Sequence, residues 1–213
     1  MITMFPVEFR RHLNYRAQVF AQGDAVTNVY LIHDGAVSLA RSNPDGKEVT
    51  VAFLGPGDFF GEEAIFGRAA RDTTAVCIEA GTIFAASRPL FAATIRSDPA
   101  LPMRLASNLS LRFDQVTQTF EDLAFATVEA RLIMLFDRLA NRYGIPSVNG
   151  DGVAVHLRLT HAQIGTFIGS TRETVSVHLS GLIRRQRLRQ DGPYYVLPHQ
   201  RTVTGAYVAV KKA

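Results

Sequence analysis

Arginine offers a planar fork that grips guanine O6 and N7 together, and glutamate accepts from cytosine N4. Side by side at the exposed start of a helix, the two can read base edges. Arg172 and Glu173 stand that way in residues 159–182, LTHAQIGTFIGSTRETVSVHLSGL. The elements that must position them are written in the same stretch. Thr160 can N-cap a first helix, with Gln163 as its capping-box partner. Ile164, Phe167 and Ile168 give that helix an apolar face, and Gly169 can stop it. Ser170 is the expected N-cap of a second helix, with Glu173 at the third position. Val175, Leu179, Leu182 and Ile183 form the second helix's buried stripe. Its first turn, with Arg172, Glu173, Ser176 and Val177, is left exposed. This is the helix-turn-helix plan, whose second helix enters the major groove by its N-terminal residues. The pattern predicts a chain that reads DNA. Glu173 has two uses, capping and base contact, and a given oxygen serves only one of them.

Charge supports that expectation. Residues 1–151 hold 14 Lys/Arg against 17 Asp/Glu, whereas residues 152–213 hold 9 against 2. A basic last third on an acidic body is what phosphate neutralisation requires. Arg184, Arg185, Arg187 and Arg189 form a second basic group, with a solubilising face as the alternative use. The 213 residues suffice for one large or two modest domains. No apolar run is long enough to span a bilayer, and the N-terminus has no secretory h-region. Cys77 is the only cysteine, which rules out an intrachain disulfide and a cysteine-ligated iron–sulfur cluster. No Ser/His/Asp, metal-spaced or Walker-type constellation occurs, so neither an enzyme nor a metal site is expected. A cytoplasmic location fits these observations.

The rest of the chain is organised to place this element. VYLI (29–32), AVSLA (36–40), VTVAFL (49–54) and TIFAAS (82–87) are short strand runs between Gly- and Pro-rich turns, which suggests a small barrel or sandwich. From about Asp98 the period becomes helical. Leu105, Leu109, Phe113, Val116, Phe120 and Leu123 form a near-heptad seam on a helix expected to run to Tyr143. That helix could pack on its own β-domain. Gln115, Thr117, Gln118 and Thr119 leave only a narrow apolar stripe, which favours a parallel dimer. Residues 143–146 mark a hinge. VAVHLRL (153–159) alternates as a strand, and residues 188–197 form a hairpin turning at Asp191-Gly192, which reads as a wing.

In this order, a β-domain, a dimer helix and a winged helix-turn-helix closely resemble the cyclic-AMP receptor / fumarate–nitrate regulator (CRP/FNR) family. GDFFGEEAIF (57–66) with RDTTA (71–75) is similar to that family's phosphate-binding cassette. LAFATVEARL (123–132) resembles the end of its dimer helix, and residues 164–179 its DNA-reading element. The resemblance implies an α+β fold: a cyclic-nucleotide-binding-like β-roll over 1–97, a dimerisation helix over 98–143 and a winged helix-turn-helix domain over 144–213. It implies a homodimeric transcription regulator on near-palindromic promoter DNA, with RNA polymerase as a partner through loop 148–153. Cyclic AMP is the candidate effector. The alternatives are an effector-independent regulator with a disabled pocket, and a nucleotide-binding module of another system.

By resemblance, Gly61 and Glu62 hold a ribose and Arg71 pairs with the phosphate. Asp72 stands where a small hydroxyl residue is usual. A carboxylate about 4 Å from phosphate costs up to about 4 kcal/mol at a dielectric near 20, unless Asp72 turns away and Thr73 or Thr74 donates instead. Val116 and Thr117 align with two hydroxyl residues that contact the base, so one hydroxyl is missing. On the DNA side, Thr160, His161 and Thr171 align with phosphate contacts. Val177 replaces a second reading arginine and can instead touch a thymine methyl. Ser176 can bond a base or a phosphate.

Overall fold

The structure, a computed structural model, describes residues 5–198. Apolar alternation between Phe9 and Ser87 produces eight strands. They are β1 (Phe9–Leu13), β2 (Gln18–Phe20), β3 (Asn28–Ile32), β4 (Ala36–Ser42), β5 (Glu48–Leu54), β6 (Phe59–Phe60), β7 (Thr74–Glu79) and β8 (Gly81–Ser87). They pair antiparallel into two sheets, ordered β1-β8-β3-β6 and β2-β7-β4-β5. Tyr30, Ile32, Leu39, Leu54, Phe60 and Ile83 fill the space between them. The turn after β3 needs glycine: Gly35 has φ of 78°, and a Cβ there would lie 2.6 Å from the Glu79 carbonyl oxygen.

Helix α1 (Arg88–Ser97) begins ten residues before the period change expected at Asp98. Ser87-Arg88-Pro89 starts it, and proline suits a first turn. Helix α2 (Ala100–Phe125) ends at Ala126, and α3 (Val128–Tyr143) begins behind the N-cap Thr127, whose hydroxyl accepts from the Ala130 amide. The single helix expected over 98–143 is therefore two helices. The cap satisfies orphan amides and lets the chain turn. The seam divides as well. Leu105 is buried and Leu109 half-buried against the β-roll, whereas Phe113, Val116, Phe120 and Leu123 stay exposed.

Beyond α3 lie β9 (Gly144–Pro146), β10 (Gly152–Val155), α4 (His161–Ile168), α5 (Arg172–Arg184), β11 (Arg189–Asp191) and β12 (Tyr194–Pro198). The last strands pair in the order β11-β12-β10-β9, with Gly192 in the wing turn. Leu132, Phe136, Ile164, Val175, Leu179 and Leu182 make one core, so α3 belongs with the helix-turn-helix. The expected hinge at 143–146 is not a free loop. Gly144–Pro146 pairs with β10, and the Tyr143 hydroxyl donates to Asp58 at 2.8 Å.

The C-terminal unit rests on the β-roll. The Thr50 and Thr166 hydroxyls lie 2.8 Å apart, and Glu79 accepts from the Tyr194 hydroxyl at 3.1 Å. Asp58 is the principal tie. Its buried carboxylate accepts from Asn108 of α2, from Arg142 and Tyr143 at the end of α3, and from the Gly55 amide. Burial, and then the Asp58 charge, push the Tyr143 phenol far above its usual range, so it remains a donor.

Candidate functional site

The first turn of α5 carries the arrangement that could read bases. Thr160 and Gln163 form the expected capping box at α4, and Gly169 closes that helix with φ of 64°. The α5 cap is one residue later than expected. Thr171, not Ser170, accepts from the Thr174 amide at 3.1 Å. Capping thus makes no demand on Glu173. Arg172 and Glu173 are exposed, and among the described residues neither side chain has a hydrogen-bond or ion-pair partner. Val177 joins them at 72% exposure. The Thr160 and Thr171 hydroxyls are engaged in their caps. Ser176 turns its hydroxyl back to the Arg172 carbonyl at 2.9 Å and to His161 at 2.7 Å, away from the outer face.

Of the second basic group, Arg184 and Arg187 remain exposed. Arg185 bonds to Glu129 of α3 at 2.7 Å and holds that carboxyl below its ordinary range. Arg189 pairs with Asp151. These two arginines brace α5 and the wing against their neighbours.

The cassette loop is built around Arg71. Gly61, with φ of 74°, starts a 3-10 turn over Glu62–Phe66. A Cβ at Gly61 would stand 2.7 Å from Arg71 Nη1, so only glycine lets that guanidinium in. The Arg71 side chain is 1% exposed. It donates to the Gly61 carbonyl at 3.1 Å, the Asn28 carbonyl at 2.7 Å and the Glu63 carboxylate at 2.9 Å. Its charge lies 4.2 Å from the Phe20 ring centroid. Asp72 has turned outward to Arg68 at 3.1 Å. The anticipated clash with a phosphate is thereby removed. Glu63, which the resemblance did not single out, takes the carboxylate role at Arg71. Glu62 pairs instead with Arg112 of α2 at 3.0 Å.

Three buried atoms here lack a hydrogen-bond partner among the described residues: Glu62 Oε2, an acceptor, and Arg71 Nε and Arg112 Nε, both donors. A ribose hydroxyl and a phosphate supply the complementary groups, so this donor set fits a cyclic nucleotide. Thr73 is half-buried beside it. The structure does not gather Val116 and Thr117 into the cassette. Val116 lines a cavity of about 600 Å³ between β5, α2, α3 and α4, together with Val51, Phe120, Leu139 and Phe167. Thr117 is exposed and donates to the Phe113 carbonyl. No group of three His, Cys, Asp or Glu residues that could hold a metal occurs among the described residues. No helix there is long and apolar enough to cross a membrane.

A family model for the cyclic nucleotide-binding domain matches residues 10–98, and one for the Crp-like helix-turn-helix domain matches 130–200. The chain is 30% identical over 187 residues to the CRP-like cAMP-activated global transcriptional regulator of Mycobacterium tuberculosis, covering 88% of this chain and 81% of that one. It is 33% identical over 172 residues to the global nitrogen regulator of Synechococcus elongatus, covering 80% and 76%. Among solved structures, the c-di-GMP responsive global regulator CLP of Xanthomonas campestris superposes with a TM-score of 0.75 at 24% identity. That match covers 90% of this chain and 94% of the other, and it shows the shared fold.

Proposed function

The chain belongs to the CRP/FNR family of DNA-binding transcription regulators, and we propose that it works as a homodimer that reads near-palindromic promoter sites through Arg172, Glu173 and Val177. One observation carries this reading: that trio stands together on the exposed first turn of α5, and Arg172 and Glu173 have no intramolecular hydrogen-bond or ion-pair partner among the described residues. Thr160, Thr171 and the helix starts they cap face the DNA backbone. Ser176 supports Arg172 from within. We place the start of the DNA-binding domain at Thr127 rather than 144, because α3 shares its core. Val148, 95% exposed, marks the loop for polymerase contact. The chain acts as a regulator in the cytoplasm and not as an enzyme.

Selection from random duplexes tests this directly. The enriched site is a near-palindrome with half-sites about 10 base pairs apart. Arg172→Ala weakens binding of the dimer to the selected duplex about 10²- to 10⁴-fold, one bidentate guanine contact being lost in each half-site, and relaxes preference at one base of each half-site. Uniform loss across all sequences would instead make Arg172 a phosphate contact.

Cyclic AMP is the effector we assign to the cassette. The unpartnered Glu62 Oε2 and Arg71 Nε support that assignment, as does the cAMP-activated relative. Bound there, the nucleotide would supply a phosphate charge for Arg71 and a hydroxyl for Glu62. It must displace Glu63, whose carboxylate already neutralises Arg71. That pair favours the second reading, an effector-independent regulator with its pocket closed from inside. A thermal-shift titration separates the two. Cyclic AMP at 100-fold its Kd stabilises by about 2.7 kcal/mol, or several degrees. Glu63→Gln removes the competing charge and lowers the Kd about tenfold, and Arg71→Ala abolishes the shift. A flat wild-type titration with a responsive Glu63→Gln establishes the self-closed pocket.

A further inference from the structure

We propose that His161 is a positioning residue that couples the wing to the recognition helix, and that operator discrimination depends on its imidazole being neutral. This rests on the reading that α5 enters the groove. His161 opens α4 and lies between two other elements. Its Nδ1 is 2.7 Å from Ser176 Oγ on α5, and its Nε2 is 3.0 Å from the Tyr195 hydroxyl on β12. Ser176 Oγ in turn donates to the Arg172 carbonyl at 2.9 Å. A neutral imidazole has one donor and one acceptor. One assignment satisfies the whole chain of bonds. The buried Tyr195 hydroxyl donates to Nε2, Nδ1–H donates to Ser176, and the Ser176 hydrogen goes to the first turn of α5. The opposite tautomer would take the Ser176 hydrogen away from Arg172 and leave the Tyr195 hydrogen without an acceptor.

The relay joins the wing, the first helix and the base-reading turn at the residue that carries the reading arginine. Ser176 thus acts through Arg172 rather than on a base. Protonation would disrupt the relay at its wing end, where Tyr195 donates to Nε2. An imidazolium has no acceptor, so the Nε2–Tyr195 bond reverses and the buried Tyr195 hydrogen is left without an acceptor. The groups facing the ring are Ser176 and the Arg172 charge from α5 and Tyr195 from β12. Burial, and then Arg172, lower the histidine's proton affinity. Burial likewise keeps the Tyr195 phenol protonated. Because the folded histidine titrates below its ordinary range, the relay is intact at neutral pH and is lost as pH falls beneath that range.

The test measures a ratio: affinity for the duplex selected by the full-length wild-type chain over affinity for a scrambled duplex of equal length and composition. In the wild type this ratio holds from about pH 7.5 down to the ordinary histidine value of about 6.5 and falls only at pH below it. His161→Phe removes both bonds and lowers the ratio at neutral pH about tenfold. Tyr195→Phe gives a similar loss while its ring keeps its place 4.8 Å from Phe136, so it carries the test if His161→Phe does not fold. His161→Asn keeps the bond toward Ser176 without a titrating group, so part of the discrimination returns and its pH dependence disappears. A wild-type ratio near one would overturn the base-reading assignment and this inference with it. A high wild-type ratio, unchanged in Tyr195→Phe and still pH-dependent in His161→Asn, would overturn the inference alone.

Discussion

Asp58→Ala lowers the stability of the chain by about 3 kcal/mol, and its melting temperature by about 10 °C, because it orphans several buried donors at once. Asp58 is 4% exposed. Its two oxygens serve Asn108, Arg142, Tyr143 and the Gly55 amide. Removing one partner of a buried charge pair costs more than the pair itself contributes, since the remaining charge stays desolvated. Asp58→Asn retains one carbonyl acceptor and should lose less. The position adds a second consequence. Asp58 follows the turn that leads into the cassette, whereas Arg142 and Tyr143 end the helix that shares a core with α4 and α5. The Ala variant therefore loosens the DNA-binding unit from the β-roll before global melting. Calorimetry of Asp58→Ala should show the melting transition broadening or splitting. A single transition at the wild-type temperature would mean that the contacts at Thr50–Thr166 and Glu79–Tyr194 hold the interface without Asp58.

That cluster also marks where sequence reasoning stops. The helix-turn-helix was legible because its determinants are local: Thr160 and Gln163 are three residues apart, and the apolar stripe of α5 repeats every three to four. The four strands read from VYLI, AVSLA, VTVAFL and TIFAAS are β3, β4, β5 and β8 for the same reason. Strand β1 is exposed at four of its five residues and β2 has only three residues, so neither shows a clear apolar alternation. The break at Ala126–Thr127 was hidden by apolar periodicity that continues through it, although Thr127 is a competent cap three residues ahead of Ala130. Ser170 and Thr171 are adjacent hydroxyl residues of similar capping power, so sequence alone fixed that cap to within one position. The ion pairs behave differently. Arg142 meets Asp58 across 84 residues, and Glu62 meets Arg112 from another element. Such pairs are set by how the helices lie on the roll, and no local spacing encodes that.

Replacing Phe113 and Phe120 together by glutamate converts the protein to a monomer and weakens binding to the selected duplex about 10²- to 10⁴-fold, the loss expected when two half-sites are no longer gripped by one molecule. In the single chain these rings are 72% and 71% exposed, so the change leaves the protomer's own core intact. With Val116 and Leu123 they form a narrow stripe on the outer half of α2, at 58% and 43% exposure. The inner half is already spent on the β-roll through Leu105 and Leu109. A second α2 laid along the stripe would also close over the cavity of about 600 Å³ that Val116, Phe120 and Leu123 border, whose far wall is Phe167 of α4. Dimerisation would in this way press on the helix-turn-helix as well as bring two of them to one face of the DNA. Sedimentation equilibrium reads the mass, and the selected duplex reads the affinity. A double variant that stays dimeric and binds normally would move the dimer interface off α2 altogether. A variant that becomes monomeric yet keeps its affinity would mean that one recognition helix suffices, and the selected site should then lack its palindrome.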